Sequence, residues 1–219
     1  MNEQKNQTLP RYTLGEELLN AISHGIGALL SILGTIFFCI YGVQRGALTL
    51  VSLLLFGGAM TVTYTISCVY HSLARNAGKR VLRVLDHCFI FTLIIGTYAP
   101  FSLAAIGGVR GWILFGTVLV AGIVGITLNA VSLKKFKIFS MICYIAMGWA
   151  VIFMIKPLMA ALPPIGLWLL LGGGISYTIG AVFFGIGAKY RYIHSVWHFF
   201  VLAGSVLHYF SCFYSVCLP

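Results

Sequence analysis

Residues 84–106 read VLDHCFIFTLIIGTYAPFSLAAI, a run that is apolar almost throughout and carries a carboxylate, Asp86, near its start. A helix needs about 20 predominantly apolar residues to cross the hydrocarbon core of a bilayer, and this run is long enough. Asp86 is the only acidic residue after position 17. A carboxylate inside a lipid-spanning segment is costly, so it marks a functional site by default and calls for a partner.

Working outward, the 219 residues are 60% hydrophobic and only 8% charged, which excludes a soluble domain. The same length rule gives seven spans, at 20–43, 48–72, 84–106, 111–131, 138–155, 165–186 and 193–216. The expected fold is therefore an all-α integral membrane protein, a seven-transmembrane-helix bundle. Residues 1–15 form a flexible tail and 16–219 a single domain, because the connections are too short to hold another. The first run is too long for a signal-peptide core and lacks a small-residue cleavage site after it, so it is expected to remain.

Net charge is +10. The basic residues occupy short connections rather than one helical face, so topology accounts for them and nucleic-acid binding is not expected. Lys5, Arg11, Arg75, Lys79, Arg80, Arg83, Lys134, Lys135, Lys137, Lys189 and Arg191 fall on one side; Arg45, Arg110 and Lys156 fall on the other. This asymmetry puts the N-terminus in the cytoplasm and the C-terminus outside.

The six cysteines, Cys39, Cys68, Cys88, Cys143, Cys212 and Cys217, sit in apolar segments without a C-x-x-C pair and read as small hydrophobes. Cys68 and Cys88, nearest the site below, keep a ligand role open. The glycines of 172–174, with Gly180, Gly185 and Gly187, suit close helix packing in lipid. Pro100 is expected to kink the third span.

Orientation turns scattered residues into a layer. Ser67 and His71 close the second span, Asp86 opens the third, and His194 and His198 open the last, so all five share one depth near the cytoplasmic face. Ser67 with His71, and His194 with His198, are four residues apart and lie on common helical faces. Two imidazoles from one helix and one from another supply three nitrogen ligands and leave a fourth tetrahedral position open, as in a catalytic zinc site. Nitrogen ligands favour Zn2+ over calcium or magnesium. Zinc lowers the pKa of bound water from 15.7 to about 7; Asp86 would either support the site from behind the ligands or handle that water's proton, and Ser67 would orient the water or a carbonyl. His24, following Glu17 and Asn20, either supports the site by hydrogen bonds or serves in packing or capping. His87 points about 100° away from Asp86, and His208 lies about 15 Å beyond His198, so neither is expected among the ligands.

The chain resembles the hemolysin III family, the bacterial branch related to progestin and adipoQ receptors. The resemblance runs through GEELLNAISHGIG (15–27), SCVYHSL (67–73), LDHCFIFTLIIGTYAPF (85–101), MGW (147–149) and HSVWHFFVLAGSVLHYF (194–210). It implies a seven-helix fold with zinc near the cytoplasmic leaflet, bound by His71, His194 and His198 with Asp86 and Ser67 beside the bound water. It further implies kinship with membrane hydrolases such as alkaline ceramidases. The long N-terminal soluble region of the receptor members is missing here, so hormone reception is not expected.

Three functions follow as expectations for a multi-pass protein of the bacterial inner membrane. One is a zinc-dependent hydrolase acting on an amide or ester bond of a membrane lipid that enters between helices. Another is a non-enzymatic protein, a pore-forming hemolysin or a regulator of membrane state with structural zinc; against a wide pore, the helices lack a polar stripe. The third is a proton or ion carrier built on Asp86 and the histidines.

Overall fold

The computed structural model describes residues 9–187 and 190–218, so residues 1–8 of the expected tail, with Lys5, and also Lys189, lie outside the described residues. The elements are α1 (Leu14–Gly42), α2 (Ala47–Ser72), α3 (Ala77–Ala99), α4 (Gly108–Val131), α5 (Leu133–Trp149), α6 (Ile155–Ala161), α7 (Pro164–Ile186) and α8 (Ile193–Cys212). No strand occurs among the described residues. Seven helical stretches are long and apolar enough to cross a membrane, α5 and α6 together forming the fifth, so this is a multi-pass membrane protein. Large apolar residues such as Ile142, Phe153, Trp168 and Val182 cover its exterior, as a surface facing lipid requires.

Two spans begin well before the point that hydropathy alone suggests, because polar residues cap and prolong them. At α1, Thr13 and Glu16 form a reciprocal capping box, which starts the helix at Leu14. At α3, the Asn76 side chain accepts from the Lys79 N–H at 2.8 Å, so the helix starts seven residues ahead of the expected 84. Residues 9–13 lie against the bundle: Arg75 donates to Pro10 O at 2.7 Å and to Leu9 O at 3.2 Å, and Leu9 is buried.

At Pro100, where a kink was expected, the third span changes from α-helical to wider π-helical winding. Pro100 begins this stretch, Pro100–Ile106, in which the Gly107 N–H reaches back to Ser102 O. The fifth span is broken by a 3-10 segment, Ala150–Met154. Tyr98 of α3 satisfies the backbone groups this break would orphan, donating to Met147 O at 2.6 Å and accepting from the Val151 N–H at 3.0 Å.

Small residues set the helix spacing. A Cβ at Gly96 would collide with Ala59 on α2, and one at Gly173 would collide with the His208 ring on α8. Two apolar cores fill the interior, one around Phe56, Tyr64 and Cys212 and the other around Phe91, Tyr98 and Phe115. All six cysteines are free; Cys39 is exposed and Cys88 donates weakly to Ile126 O.

A candidate metal centre at one end of the bundle

The last turn of α2, the first turns of α8 and the first two turns of α1 meet at one end of the bundle. The fourfold spacing of Ser67 and His71 turns both inward, at 1% and 2% exposure, and that of His194 and His198 does the same, at 6% and 0%. Tyr192 precedes α8 in the left-handed region, φ 61°, and its N–H donates to Glu16 Oε1 at 2.7 Å. Glu16 thus joins the start of α1 to the start of α8, and α8 enters with its first two histidines beside α2.

His71, His194 and His198 each offer a ring nitrogen, and these atoms lie within 4.8 Å of one another, an arrangement that could hold a metal ion. No other such group of histidine, cysteine or carboxylate side chains occurs among the described residues, and Asp86 and the cysteines are not members of this one. The donor set suits a transition metal such as zinc, copper, iron or nickel better than a hard cation. The fit is supported by an orphan: His71 Nε2 is buried and has no hydrogen-bond partner in the protein. His194 Nε2 and His198 Nε2 stand 3.2 Å apart.

Several groups hold the cluster from outside. His71 Nδ1 lies 2.7 Å from Glu17 Oε2, and Glu17 Oε1 accepts from Lys79 Nζ at 2.6 Å. Lys79, counted above among the loop cations, is in fact buried at 3% exposure and also lies over the Tyr70 ring. Asn20 Nδ2 is 3.4 Å from the same His71 nitrogen. The Tyr12 ring stacks on His194 with 4.9 Å between centroids. Burial pushes the Tyr12 hydroxyl pKa above its usual value, and the nearby charge of Asp86 adds to the shift.

Ser67 and Asp86 line a cavity of about 120 Å³ together with His24, Tyr177 and Trp197. His24 and Trp197 both pack against His198, so this cavity abuts the histidine cluster. Ser67 Oγ and Asp86 Oδ2 are buried without hydrogen-bond partners. A second cavity of about 350 Å³ shares Thr97, Tyr98, Trp149 and His208 with the first and is otherwise lined by apolar residues such as Phe101, Leu158 and Trp168. A site of this kind, apolar with few convergent polar groups, suits an amphiphilic ligand.

Of the remaining histidines, His24 packs rather than bonds: its ring stacks on His198 and neither nitrogen has a partner. His87 Nδ1 donates to Arg83 O at 2.9 Å and lies 3.7 Å from Asp86 Oδ2, and His208 Nε2 donates to Leu170 O at 3.0 Å; both rings lie outside the three-histidine group. The sequence left the roles of Glu17, Asn20 and His24 open, and gave Lys79 no part beyond a loop charge and Tyr12 none at all. A signal was present, since Glu17, Asn20 and His24 recur on one face of an apolar helix.

The sequence profile described as Haemolysin-III related matches residues 12–209, a region that contains every residue of this centre. The chain belongs to the haemolysin-III-related family. This family member is 40% identical over 210 residues to the hemolysin-3 homolog of Bacillus subtilis (strain 168), covering 95% of this chain and 98% of that one. It is also 40% identical to hemolysin-3 of Bacillus cereus over 202 residues, 92% of each chain. A more distant likeness, 25% over 168 residues, joins it to the human monocyte to macrophage differentiation factor, with 72% of this chain and 67% of that one covered.

Proposed function

We propose that this haemolysin-III-related protein is a zinc-dependent hydrolase that cleaves an amide or ester bond of a membrane lipid at the cytoplasmic leaflet of the bacterial inner membrane. One observation carries the reading: three buried imidazoles converge beside a mainly apolar cavity whose wall holds Ser67 Oγ and Asp86 Oδ2, neither of which has a hydrogen-bond partner, Asp86 Oδ2 lying 3.7 Å from His87 Nδ1. The cytoplasmic placement rests on the excess of Lys and Arg on the side where α1 begins.

His71, His194 and His198 would hold the ion and leave a coordination position open. When bound, zinc supplies Lewis acidity, which polarises a carbonyl and brings the ionisation of water within reach of neutral pH. Asp86 takes the proton of the attacking water and returns it to the leaving amine or alcohol. Ser67 donates its hydroxyl hydrogen to the carbonyl oxygen and holds it in place. The cavity takes the apolar part of the lipid and keeps bulk water from the reacting atoms.

The test is incubation of a broad panel of lipids with wild type and Asp86→Ala, followed by mass spectrometry of the products. A fatty acid and its complementary amine or alcohol, released only by wild type, is the expected result; identical profiles across the panel would overturn the reading.

The hemolysin names of the two Bacillus relatives favour a second reading, membrane permeabilisation. Dye flux from proteoliposomes separates the two, since leakage that survives loss of the histidines would belong to a pore.

A further inference from the structure

We infer that Glu17, clamped by Lys79, is the positioning residue that fixes His71 with a bare Nε2 turned toward His194 and His198. The inference rests on the reading of this cluster as a metal centre.

Lys79 Nζ donates to Glu17 Oε1 at 2.6 Å and to Leu73 O at 2.9 Å, so the ammonium is tied to the end of α2 as well as to α1. An ammonium only donates, so the Glu17 group beside it is held as a carboxylate and only accepts. The proton between Glu17 Oε2 and His71 Nδ1, 2.7 Å apart, therefore belongs to Nδ1. In a neutral ring that leaves Nε2 with a lone pair. This is the atom found without a partner, in the group whose members lie within 4.8 Å of one another. The Asn20 amide, with Nδ2 3.4 Å from the same nitrogen and Oδ1 unpartnered, agrees with this tautomer only when its oxygen and nitrogen are exchanged, which turns Oδ1 toward the Nδ1 proton. A carboxylate behind a ligand histidine fixes the ring's orientation and raises its basicity. Lys79 adds a charge balance that lets the carboxylate stay ionised when partly buried.

The pairing makes an uncommon demand on a substitution. Glu17→Gln keeps the shape but leaves one oxygen for two donors. Lys79, the cation, takes it, and the amide NH2 then faces His71 Nδ1. That favours the opposite tautomer, with hydrogen on Nε2 where the metal should bind. Adding Lys79→Met frees the glutamine oxygen to accept from Nδ1, and the productive tautomer returns.

The experiment measures zinc affinity of full-length protein in detergent by chelator competition, with the spectrum of the cobalt-substituted form as a report on ligand geometry. Loss of a group behind a metal ligand typically costs about 10–100-fold in affinity, and Glu17→Gln should fall in that range with an altered cobalt spectrum. Glu17→Gln combined with Lys79→Met should recover most of the affinity and the wild-type spectrum, although it removes one more polar contact; a merely structural role would give further loss. If Glu17→Gln alone does not yield folded protein, the double variant carries the test, and a deficit of tenfold or more in it overturns the inference. So does wild-type affinity in Glu17→Gln. Wild type that takes up no metal at all overturns the centre itself, a failure distinguishable from these.

Discussion

The rings of His24 and His198 stack with 3.7 Å between centroids and 27° between their planes. His24 is buried, so truncating it leaves a void against a metal-site histidine. His24→Ala should lower stability by about 1–3 kcal/mol in thermal unfolding. His24→Phe should restore the stack and keep the zinc content of wild type.

The three-histidine cluster predicts its own metal content. Purified wild type should carry about one zinc per chain, as a tetrahedral site with three protein ligands would. Elemental analysis should find it lost in His71→Ala and in His194→Ala, and retained in Cys88→Ser, whose side chain lies outside the group.

Asp86 lines the cavity without belonging to the metal group, so binding and turnover should separate there. Asp86→Asn should keep its zinc while product formation falls by about 100-fold or more, the contribution typical of a positioned proton-transfer group. Zinc lost along with turnover would make Asp86 a ligand instead.

Tyr12 covers His194 from the side of the chain's first residues. Tyr12→Ala should speed the loss of zinc to an external chelator without changing the amount bound at equilibrium with excess metal. Because burial raises the folded-state pKa of its hydroxyl, the stability from keeping that phenol neutral is fully present below pH about 10 and is lost as pH rises further. Tyr12→Phe should remove that part of the alkaline loss, read from unfolding midpoints between neutral and strongly alkaline pH.

Gly96 and Gly58 give a matched pair. A Cβ at Gly96 would meet Ala59 and come within 2.9 Å of Leu55 O, whereas one at Gly58 meets nothing within 4 Å. Gly96→Ala should destabilise by about 1–3 kcal/mol through overpacking of α2 against α3, and Gly58→Ala should be close to neutral. Thermal unfolding in detergent checks both.

The apolar runs alone were enough to read seven spans, and the fourfold spacing of His194 and His198 was enough to put both on one face. Each depends on the chain's local period and on the length of a bilayer, which sequence carries directly. Span limits were less legible, because Thr13 and Asn76 extend α1 and α3 through caps that hydropathy does not register. The break in the fifth span was hidden for a related reason, since Tyr98, some fifty residues earlier, supplies the bonds that make it tolerable.

What the sequence by itself determined was therefore a membrane bundle of seven spans, with Ser67, His71, Asp86, His194 and His198 at span ends. The tertiary structure decided which of those side chains come within reach of one another and what stands behind them. It gathered His71, His194 and His198 into one group and set Asp86 and Ser67 on the wall of the adjoining cavity. It also turned Lys79 from a loop cation into the partner of Glu17. The reason is physical: periodicity fixes the face a residue occupies on its own helix, but the rotation and depth of one helix against another follow from packing across the whole bundle, down to a missing Cβ at Gly96 or Gly173.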